Sequence, residues 1–436
     1  MPSSLPFVCS ALTAACMPLH CPALRIYREP KHVHFLPDDV RLVLRRTPLM
    51  SYGPPRLVRG APSRSSLAGA GLRSSSGRLP VEKVKRSSSK KSFLLEHDSR
   101  RLRERFEQVL QARSSRGGAN IDVLRQLVLE EGLPPESEFE RTTCATKCTL
   151  RGRVWKVLLG LTKVDAAEYI NVISRGPSKH EEKIDNDLHR TLASNKEFSS
   201  RVSQPVLCRL LNGYVNRQEM SHRSKQGKEG EERTGATYYV QGMNVLAAPF
   251  LYVMTEVDAF FAFKHFLGNN CPRYVTKSLA GVHDGHKLAD MVLQVCDPQL
   301  HEFLAKQQLS AEMTLFPTIL SFSVNRKPMS QVLKLWDVLL AYGVHLNIVF
   351  IVANLILIRE LIFEKSPAQN QKLINAGHDL PPLKANLIVS LSMYLLRRIP
   401  DDLYAQLLLH PFHSLEGEYS IIDQQGTTSL DLLARS

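Results

Sequence analysis

Residues 239–254 read YVQGMNVLAAPFLYVM, and this stretch decides the fold class. The twelve residues that follow Gly242 are almost entirely apolar. An apolar run of this length exceeds an ordinary buried strand, so it predicts a buried helix. Gln241 and Gly242 stand where a loop enters that helix. A glutamine in this position can point its amide at a ligand, and the glycine would let a partner backbone approach closely.

The helical pattern continues in both directions from this stretch. Asn120 can cap a helix that Gly132 ends, LRGRVWKVLLG at residues 150–160 predicts an amphipathic helix, and another follows near 166–173. Further apolar segments with helical spacing cover about 203–217, 238–254, 257–268, 284–296, 311–324, 328–341, 346–362, 382–397 and 401–410. Period-two alternation with hairpin turns does not occur, and neither does a fixed repeat length. The sequence therefore predicts an all-α fold that is not a solenoid.

Composition divides the 436 residues into regions. Residues 1–95 are rich in Ser, Pro and Arg, which predicts a disordered basic region. Residues 96–140 predict a helical lead-in, and 413–436 an acidic C-terminal tail. Residues 220–236 contain almost nothing apolar and predict a flexible surface loop.

The net charge of +14 suggests a nucleic acid or an anionic membrane as partner, but its distribution argues otherwise. Residues 1–117 hold 22 basic and 8 acidic residues, and the remainder holds 34 of each. Because the folded part is neutral, we expect no nucleic-acid groove there. We also expect no transmembrane segment and no signal peptide. The eight cysteines lack paired zinc-ligand spacing, so no metal site is predicted.

Two short motifs carry the candidate chemistry. In EKIDNDLHRTL (181–191), Ile184, Asp187 and Arg190 recur every third residue, so each neighbours the next on a helix. Asp187 could hold the Arg190 guanidinium in an extended pose. The second motif is YVQG, at residues 239–242. Neither motif is specific alone. An Asp and an Arg at this spacing usually form an ordinary surface ion pair, and a Gln at such a position is usually a helix cap or a solvated residue.

Together, in this order, the motifs resemble the TBC domain of Rab-type GTPase-activating proteins. Ile-x-x-Asp-x-x-Arg is the arginine motif of that family, and Tyr-x-Gln-Gly is its glutamine motif. The arginine–tryptophan helix of the family is similar to Arg151, Arg153 and Trp155, and its Trp-Asp element to Trp336 and Asp337. The resemblance covers roughly residues 145–410 and implies a TBC domain over 141–412. The amino-acid sequences of segments such as RYVTKSLAGVHDG are similar to those of the fungal cell-cycle branch of this family.

The resemblance implies that the chain supplies catalytic side chains to a partner and is itself not an enzyme. Arg190 and Gln241 would act on a small GTPase in its GTP-bound state, supported by Ile184, Asp187, Tyr239 and Gly242. Arg153, Trp155, Trp336 and Asp337 would be structural. No cofactor is expected, because the chain has no Walker motif.

The resemblance to the fungal cell-cycle branch implies further expectations about partner proteins and cellular location. These are a scaffold or co-activator subunit, a cytoplasmic location at the spindle pole body of the cytoskeleton, and a role in mitotic exit or septation. Two alternatives stay open. The first is an inactive TBC scaffold that only localises a GTPase. The second is a nucleic-acid or membrane binder that acts through its basic N-terminal region.

Overall fold

The computed structural model describes residues 97–112, 120–194, 196–226, 239–376 and 380–415; of residues 190–194, 196–197, 222–226 and 376 it describes the backbone alone. Within these ranges the chain is entirely helical and contains no strand, which confirms the predicted fold class. The predicted disordered region at 1–95 lies outside the described residues, as does the acidic tail from residue 416 onward.

The first ten helices are α1 (97–111), α2 (Ile121–Glu130), α3 (Glu138–Thr143), α4 (Leu150–Leu158), α5 (Ala166–Ile173), α6 (Glu181–Ser194), α7 (Lys196–Ser199), α8 (Gln204–Gln226), α9 (Met243–Val253) and α10 (Glu256–Asn269). A 3₁₀ turn at Pro272–Val275 follows. The remaining helices are α11 (Ala280–Cys296), α12 (Pro298–Lys306), α13 (Ala311–Leu320), α14 (Met329–Tyr342), α15 (Leu346–Leu357), α16 (Arg359–Phe363), α17 (Pro367–Ala376), α18 (Ala385–Leu395) and α19 (Asp401–Leu409).

Several boundaries differ from the sequence expectations. Helices α12 and α17 were not predicted, and the predicted segment 346–362 is divided at Ile358 into α15 and α16. Residues 220–226 continue α8, so the start of the predicted loop is helical. Polar residues with good helix propensity extend an existing helix at little cost, since nucleation has already occurred. The rest of that predicted loop, residues 227–236, lies outside the described part of the chain.

Helix α9 lies at the centre of the core. Ten of its eleven residues are buried, which explains why its sequence shows no amphipathic stripe. Phe250 packs edge-on against Trp155 and Trp336, with ring centroids 5.9 Å and 5.6 Å away. The two tryptophans stack on each other at 5.9 Å, and both are fully buried. Both tryptophans therefore lie inside the core.

Helix α4 crosses close to the end of α9 because Gly152 has no side chain. A Cβ there would overlap the carbonyl oxygen of Val253. Thr149 caps α4 by accepting a bond from the Gly152 amide, and its hydroxyl donates to the same Val253 carbonyl across 3.0 Å. The start of α4 is therefore fixed against α9 by both shape and hydrogen bonding.

The helical lead-in packs on the same core. Phe106 of α1 and Leu124, Leu127 and Val128 of α2 are buried in it. Asn120 caps α2 as predicted, by accepting from the Val123 amide. The two helices thus share one apolar interior with the later helices.

In the described part of the chain, no helix combines the length and hydropathy needed to cross a bilayer. The five cysteines described there, at positions 144, 148, 208, 271 and 296, are all free thiols.

Candidate functional site

The two sequence motifs meet at Asp187 and Tyr239. The hydroxyl of Tyr239 donates a hydrogen bond to Oδ2 of Asp187 across 3.0 Å. The Asp187 side chain is 6% exposed and Tyr239 is fully buried. Burial raises the pKa of Tyr239, and the nearby Asp187 carboxylate raises it further, so the phenol stays protonated and acts as the donor.

Helix α6 is held at this position by its apolar face and by one more polar contact. Ile184 and Leu188 are fully buried. Asn244, near the start of α9, donates its side-chain amide to the backbone carbonyl of Asp187 across 3.2 Å. Two contacts therefore fix α6 to the segment that carries the glutamine motif. One joins two side chains, and the other joins a side chain to the α6 backbone.

Arg190 lies three residues after Asp187 in α6, close to one helical turn further along. Its backbone is helical, and its side chain lies outside what the structure describes. The predicted contact between the Arg190 guanidinium and Asp187 stays a prediction. Tyr239 is a described partner of the Asp187 carboxylate.

Gln241 is exposed in the turn that leads into α9. Gly242 follows with φ +101°, a left-handed conformation that a side chain would strain. A Cβ at Gly242 would also lie 2.9 Å from Cδ2 of Leu320. The glycine was predicted to admit a partner backbone, whereas the structure gives two reasons within the chain itself. It lets the turn pack against α13 while Gln241 faces outward.

A cleft of about 280 Å³ opens beside Gln241. Its walls come from α6, α7, α9, α13 and the segment that joins α13 to α14. The apolar lining consists of Phe198, Val245, Ala248, Pro317, Leu320, Val324 and Met329, and the polar lining includes Asp187, Gln241, Asn244, Ser321 and Asn325. A groove of this composition, with a glutamine on its wall, fits an apolar segment of a partner protein better than a small polar metabolite.

The far wall of this cleft is held by the tryptophan of the Trp-Asp element. Nε1 of Trp336 donates to the backbone carbonyl of Phe322 across 3.0 Å. Phe322 and Ser323 both have positive φ, so this connection is a strained turn that a specific contact stabilises. Ser321 and Asn325 complete the turn with a side-chain hydrogen bond of 3.1 Å.

Asp337 joins α14 to α4 in the interior. Its Oδ1 accepts from Nε of Arg151 at 3.0 Å and from Nε1 of Trp155 at 2.8 Å. Burial raises the pKa of Asp337, while the Arg151 guanidinium and the Trp155 indole N–H lower it. Trp155, Trp336 and Asp337 thus lie together in the core behind the cleft.

Arg153 lies elsewhere. It pairs with Glu107 of α1, with Nη1 2.7 Å from Oε2, and its side chain is 37% exposed. The interior partner of Asp337 is Arg151, which stands four residues before Trp155 and so on the same helical face. That four-residue spacing is a signal in the sequence that could have identified Arg151, and not Arg153, as the buried arginine. Asn244 and Leu320 were not singled out from the sequence, since only packing brings them to the motifs.

The folded part of the chain is similar to known proteins. The family model described as the Rab-GTPase-TBC domain matches residues 148–363. Cell division control protein 16 of Schizosaccharomyces pombe is 40% identical over 269 residues, which cover 61% of this chain and 82% of that protein. Mitotic check point protein BUB2 of Saccharomyces cerevisiae is 35% identical over 300 residues, which cover 67% of this chain and 92% of that protein.

A solved structure shows the same fold at much lower sequence identity. The crystal structure of the Ypt/Rab-GAP domain of Gyp1p aligns with a TM-score of 0.52 at 15% identity, covering 69% of this chain and 98% of that one. The resemblance inferred from the motifs is confirmed by the relatives, and the chain belongs to the Rab-GTPase-TBC domain family.

Proposed function

We propose that this chain is a GTPase-activating protein that accelerates GTP hydrolysis by a small Ras-like or Rab-like GTPase. The observation that carries the proposal is the hydrogen bond between Tyr239 and Asp187, which joins the arginine motif to the glutamine motif. It places the helix that bears Arg190 against the turn that bears Gln241, beside an apolar cleft. The GTPase would provide the nucleotide, and this chain would provide two side chains.

Arg190 would act on charge. GTP hydrolysis places negative charge on phosphate oxygens in the transition state, and catalysis consists of positioning and electrostatic stabilisation. A guanidinium is always ionised and can donate to two oxygens at once. An arginine supplied in this way accelerates hydrolysis roughly 10³- to 10⁵-fold, which corresponds to about 4–7 kcal/mol of barrier.

Gln241 would orient the attacking water. A side-chain amide can accept a hydrogen bond from water and donate one to a phosphate oxygen. Gln241 is exposed beside the cleft, and the φ of Gly242 directs the chain immediately after it into α9. The amide is therefore accessible to a bound partner, while its backbone is fixed by a buried helix.

The names of relatives support a proposal about the cellular role. Two proteins with 35–40% identity are named for a mitotic checkpoint and for cell division control. We propose that this chain controls a GTPase of mitotic exit or septation, at the spindle pole body, together with a scaffold subunit. The inactive-scaffold alternative predicts binding without acceleration of hydrolysis.

A GTPase assay separates an activator from a scaffold. The full chain is mixed with each member of a panel of Ras-like and Rab-like GTPases preloaded with GTP, with and without proteins that co-purify with the chain. An activator accelerates hydrolysis when present in amounts well below the GTPase. The scaffold alternative would be supported by a different result. In that case a GTPase binds the chain, in the presence of the proteins that co-purify with the chain, but still hydrolyses GTP at the intrinsic rate of the GTPase.

Gln241→Ala tests the second side chain. We expect activation to fall by roughly 10²- to 10³-fold, as when one transition-state donor is removed. Gln294→Ala is the matched control, because Gln294 is exposed on α11 and does not line the cleft. Equal activation by both variants would exclude a role for Gln241.

A further inference from the structure

Two histidines of α11 and one glutamate of α13 form a cluster that the proposed function does not use. His283 and His286 are three residues apart on α11, and Glu312 lies in the first turn of α13. One ligand atom from each residue lies within 4.8 Å of the other two. Nδ1 of His283 is 3.7 Å from Oε1 of Glu312. Ligand atoms about 2 Å from a tetrahedral zinc are a little over 3 Å apart.

His286 is the buried member of the cluster. It is 4% exposed, and neither of its ring nitrogens has a hydrogen-bond partner among the described residues. Burial, followed by the charge of His283, lowers the pKa of His286 to about 4, so its imidazole is neutral and able to coordinate a metal. A buried polar group without a partner is uncommon in native proteins and calls for an explanation.

The ring arrangement also suits a shared ion. The His283 and His286 rings are nearly perpendicular, with an interplanar angle of 88° and centroids 5.7 Å apart. Phe316 packs 5.4 Å from the His286 ring and covers the apolar side of the cluster. The side chains of His283 and Glu312 are 47% and 70% exposed, so they can adjust by rotation and leave an entry path for an ion.

We propose that His283, His286 and Glu312 bind one Zn²⁺, with water in the fourth position. Two neutral imidazoles and one carboxylate suit zinc and similar divalent transition metals, whereas Mg²⁺ and Ca²⁺ prefer sites made of oxygen ligands. The sequence predicted no metal site because its cysteines lack paired ligand spacing. The third ligand of this cluster lies on another helix, so no sequence spacing connects it to the two histidines.

A zinc ion here would tie α11 to the first turn of α13. The opposite end of α13 carries Pro317 and Leu320, which line the cleft beside Gln241. The ion would therefore fix one wall of the cleft from a distance. Its role would be structural and separate from the two motif side chains, so a negative result for zinc binding would leave the proposed GTPase activation to be judged by its own assay.

Calorimetric titration of the metal-free full chain, purified without a polyhistidine tag, tests the proposal. We expect one Zn²⁺ per chain with at least micromolar affinity, Mg²⁺ failing to compete, and tetrahedral Co²⁺ absorption bands after substitution. His283→Ala and Glu312→Gln should each weaken zinc binding by more than about tenfold. Both positions are exposed, so neither variant should impair folding.

Matched controls are His265→Ala and Glu302→Gln, which change a histidine and an exposed glutamate elsewhere and should leave zinc binding unchanged. Absence of micromolar zinc binding by the wild-type chain would overturn the proposal. So would zinc binding that both His283→Ala and Glu312→Gln retain at full affinity.

Discussion

The Tyr239 hydroxyl donates to the Asp187 carboxylate across 3.0 Å and so joins two motifs that are 52 residues apart in sequence. Asp187 lies one helical step before Arg190, and Tyr239 lies two residues before Gln241. Because both groups are buried, the bond fixes helix α6 against the turn that carries Gln241 without itself facing a partner. The relative position of the motifs is thus a property of the folded chain before any GTPase binds.

Tyr239→Phe removes this bond and keeps the ring. We expect the free energy of unfolding to fall by about 1–3 kcal/mol, because the buried Asp187 carboxylate loses a donor. Activation of the GTPase should fall more than the variant's stability alone explains. Urea denaturation and a single-turnover assay measure the two effects.

Tyr394→Phe is the matched control for that variant. Tyr394 is half-buried, and its hydroxyl has no hydrogen-bond partner among the described residues. Equal stability changes in the two variants would show that the Asp187 bond contributes nothing specific.

Gly242→Ala tests the turn that presents Gln241. Alanine at φ +101° is strained, and its Cβ would lie 2.9 Å from Leu320. We expect a loss of about 1–3 kcal/mol and weaker activation. Gly268→Ala, in the last turns of α10 with no atom within 4 Å of the new Cβ, should cost nothing. If both variants unfold at the same urea concentration as the wild type, the strain argument is wrong.

Arg151→Ala and Arg153→Ala compare two arginines of one helix. Arg151→Ala leaves the buried Asp337 without its cation, so we expect a cost of about 3–5 kcal/mol. Arg153 forms a partly exposed pair with Glu107, whose loss should cost about 0–1 kcal/mol. Thermal or urea unfolding measures the difference. A larger effect at Arg153 would contradict the assignment of Arg151 as the interior residue.

Two buried histidines predict a pH dependence of stability. Burial lowers the pKa of His410 to about 4 and of His345 to about 3, against an ordinary value of 6.5. Protons therefore bind the unfolded chain more readily. The stability contribution is complete above pH 6.5 and decreases as pH falls toward these values, by up to about 1.4 kcal/mol per pH unit for each histidine.

His410→Gln separates one of these contributions. Nδ1 of His410 lies 2.7 Å from the Leu407 carbonyl and therefore donates to it, so Nε2 accepts from the Tyr274 hydroxyl at 2.8 Å. A glutamine oxygen can accept the same bond without titrating. Between pH 6.5 and 5, with chelator present, the unfolding free energy of the variant should fall less steeply than that of the wild type. Identical slopes would contradict the prediction.

The sequence predicted the elements whose cause is local. The apolar run after Gly242 predicted α9, Asn120 predicted the start of α2, and Trp155 and Trp336 were expected in the core. Helix α17 was not predicted because polar residues interrupt its apolar ones, and α12 was not predicted because it follows α11 after the single residue Asp297. The local sequence pattern predicts buried residues well. It predicts poorly those short helices that are stabilised by neighbouring helices.

The same distinction applies to the candidate site: some of its residues could be predicted from the sequence, and the contacts between them could not. The motif spacing pointed to Asp187 and Tyr239, but their mutual hydrogen bond depends on how α6 packs against α9. The contact of Leu320 with Gly242, and that of Glu312 with His283, join residues on separate helices. Contacts of this kind follow from tertiary packing, which a single sequence does not encode in any fixed spacing.

Single-turnover GTP hydrolysis by the cognate GTPase, with the co-purified subunit present, tests the central claim most directly. The comparison is between the wild-type chain, Arg190→Ala, Arg190→Lys and the control Arg141→Ala, which alters an exposed arginine on α3. We predict that both Arg190 variants lose roughly 10³-fold or more of the acceleration, because a lysine cannot form the two-oxygen contact, and that Arg141→Ala retains it. Full acceleration by Arg190→Ala would contradict the account.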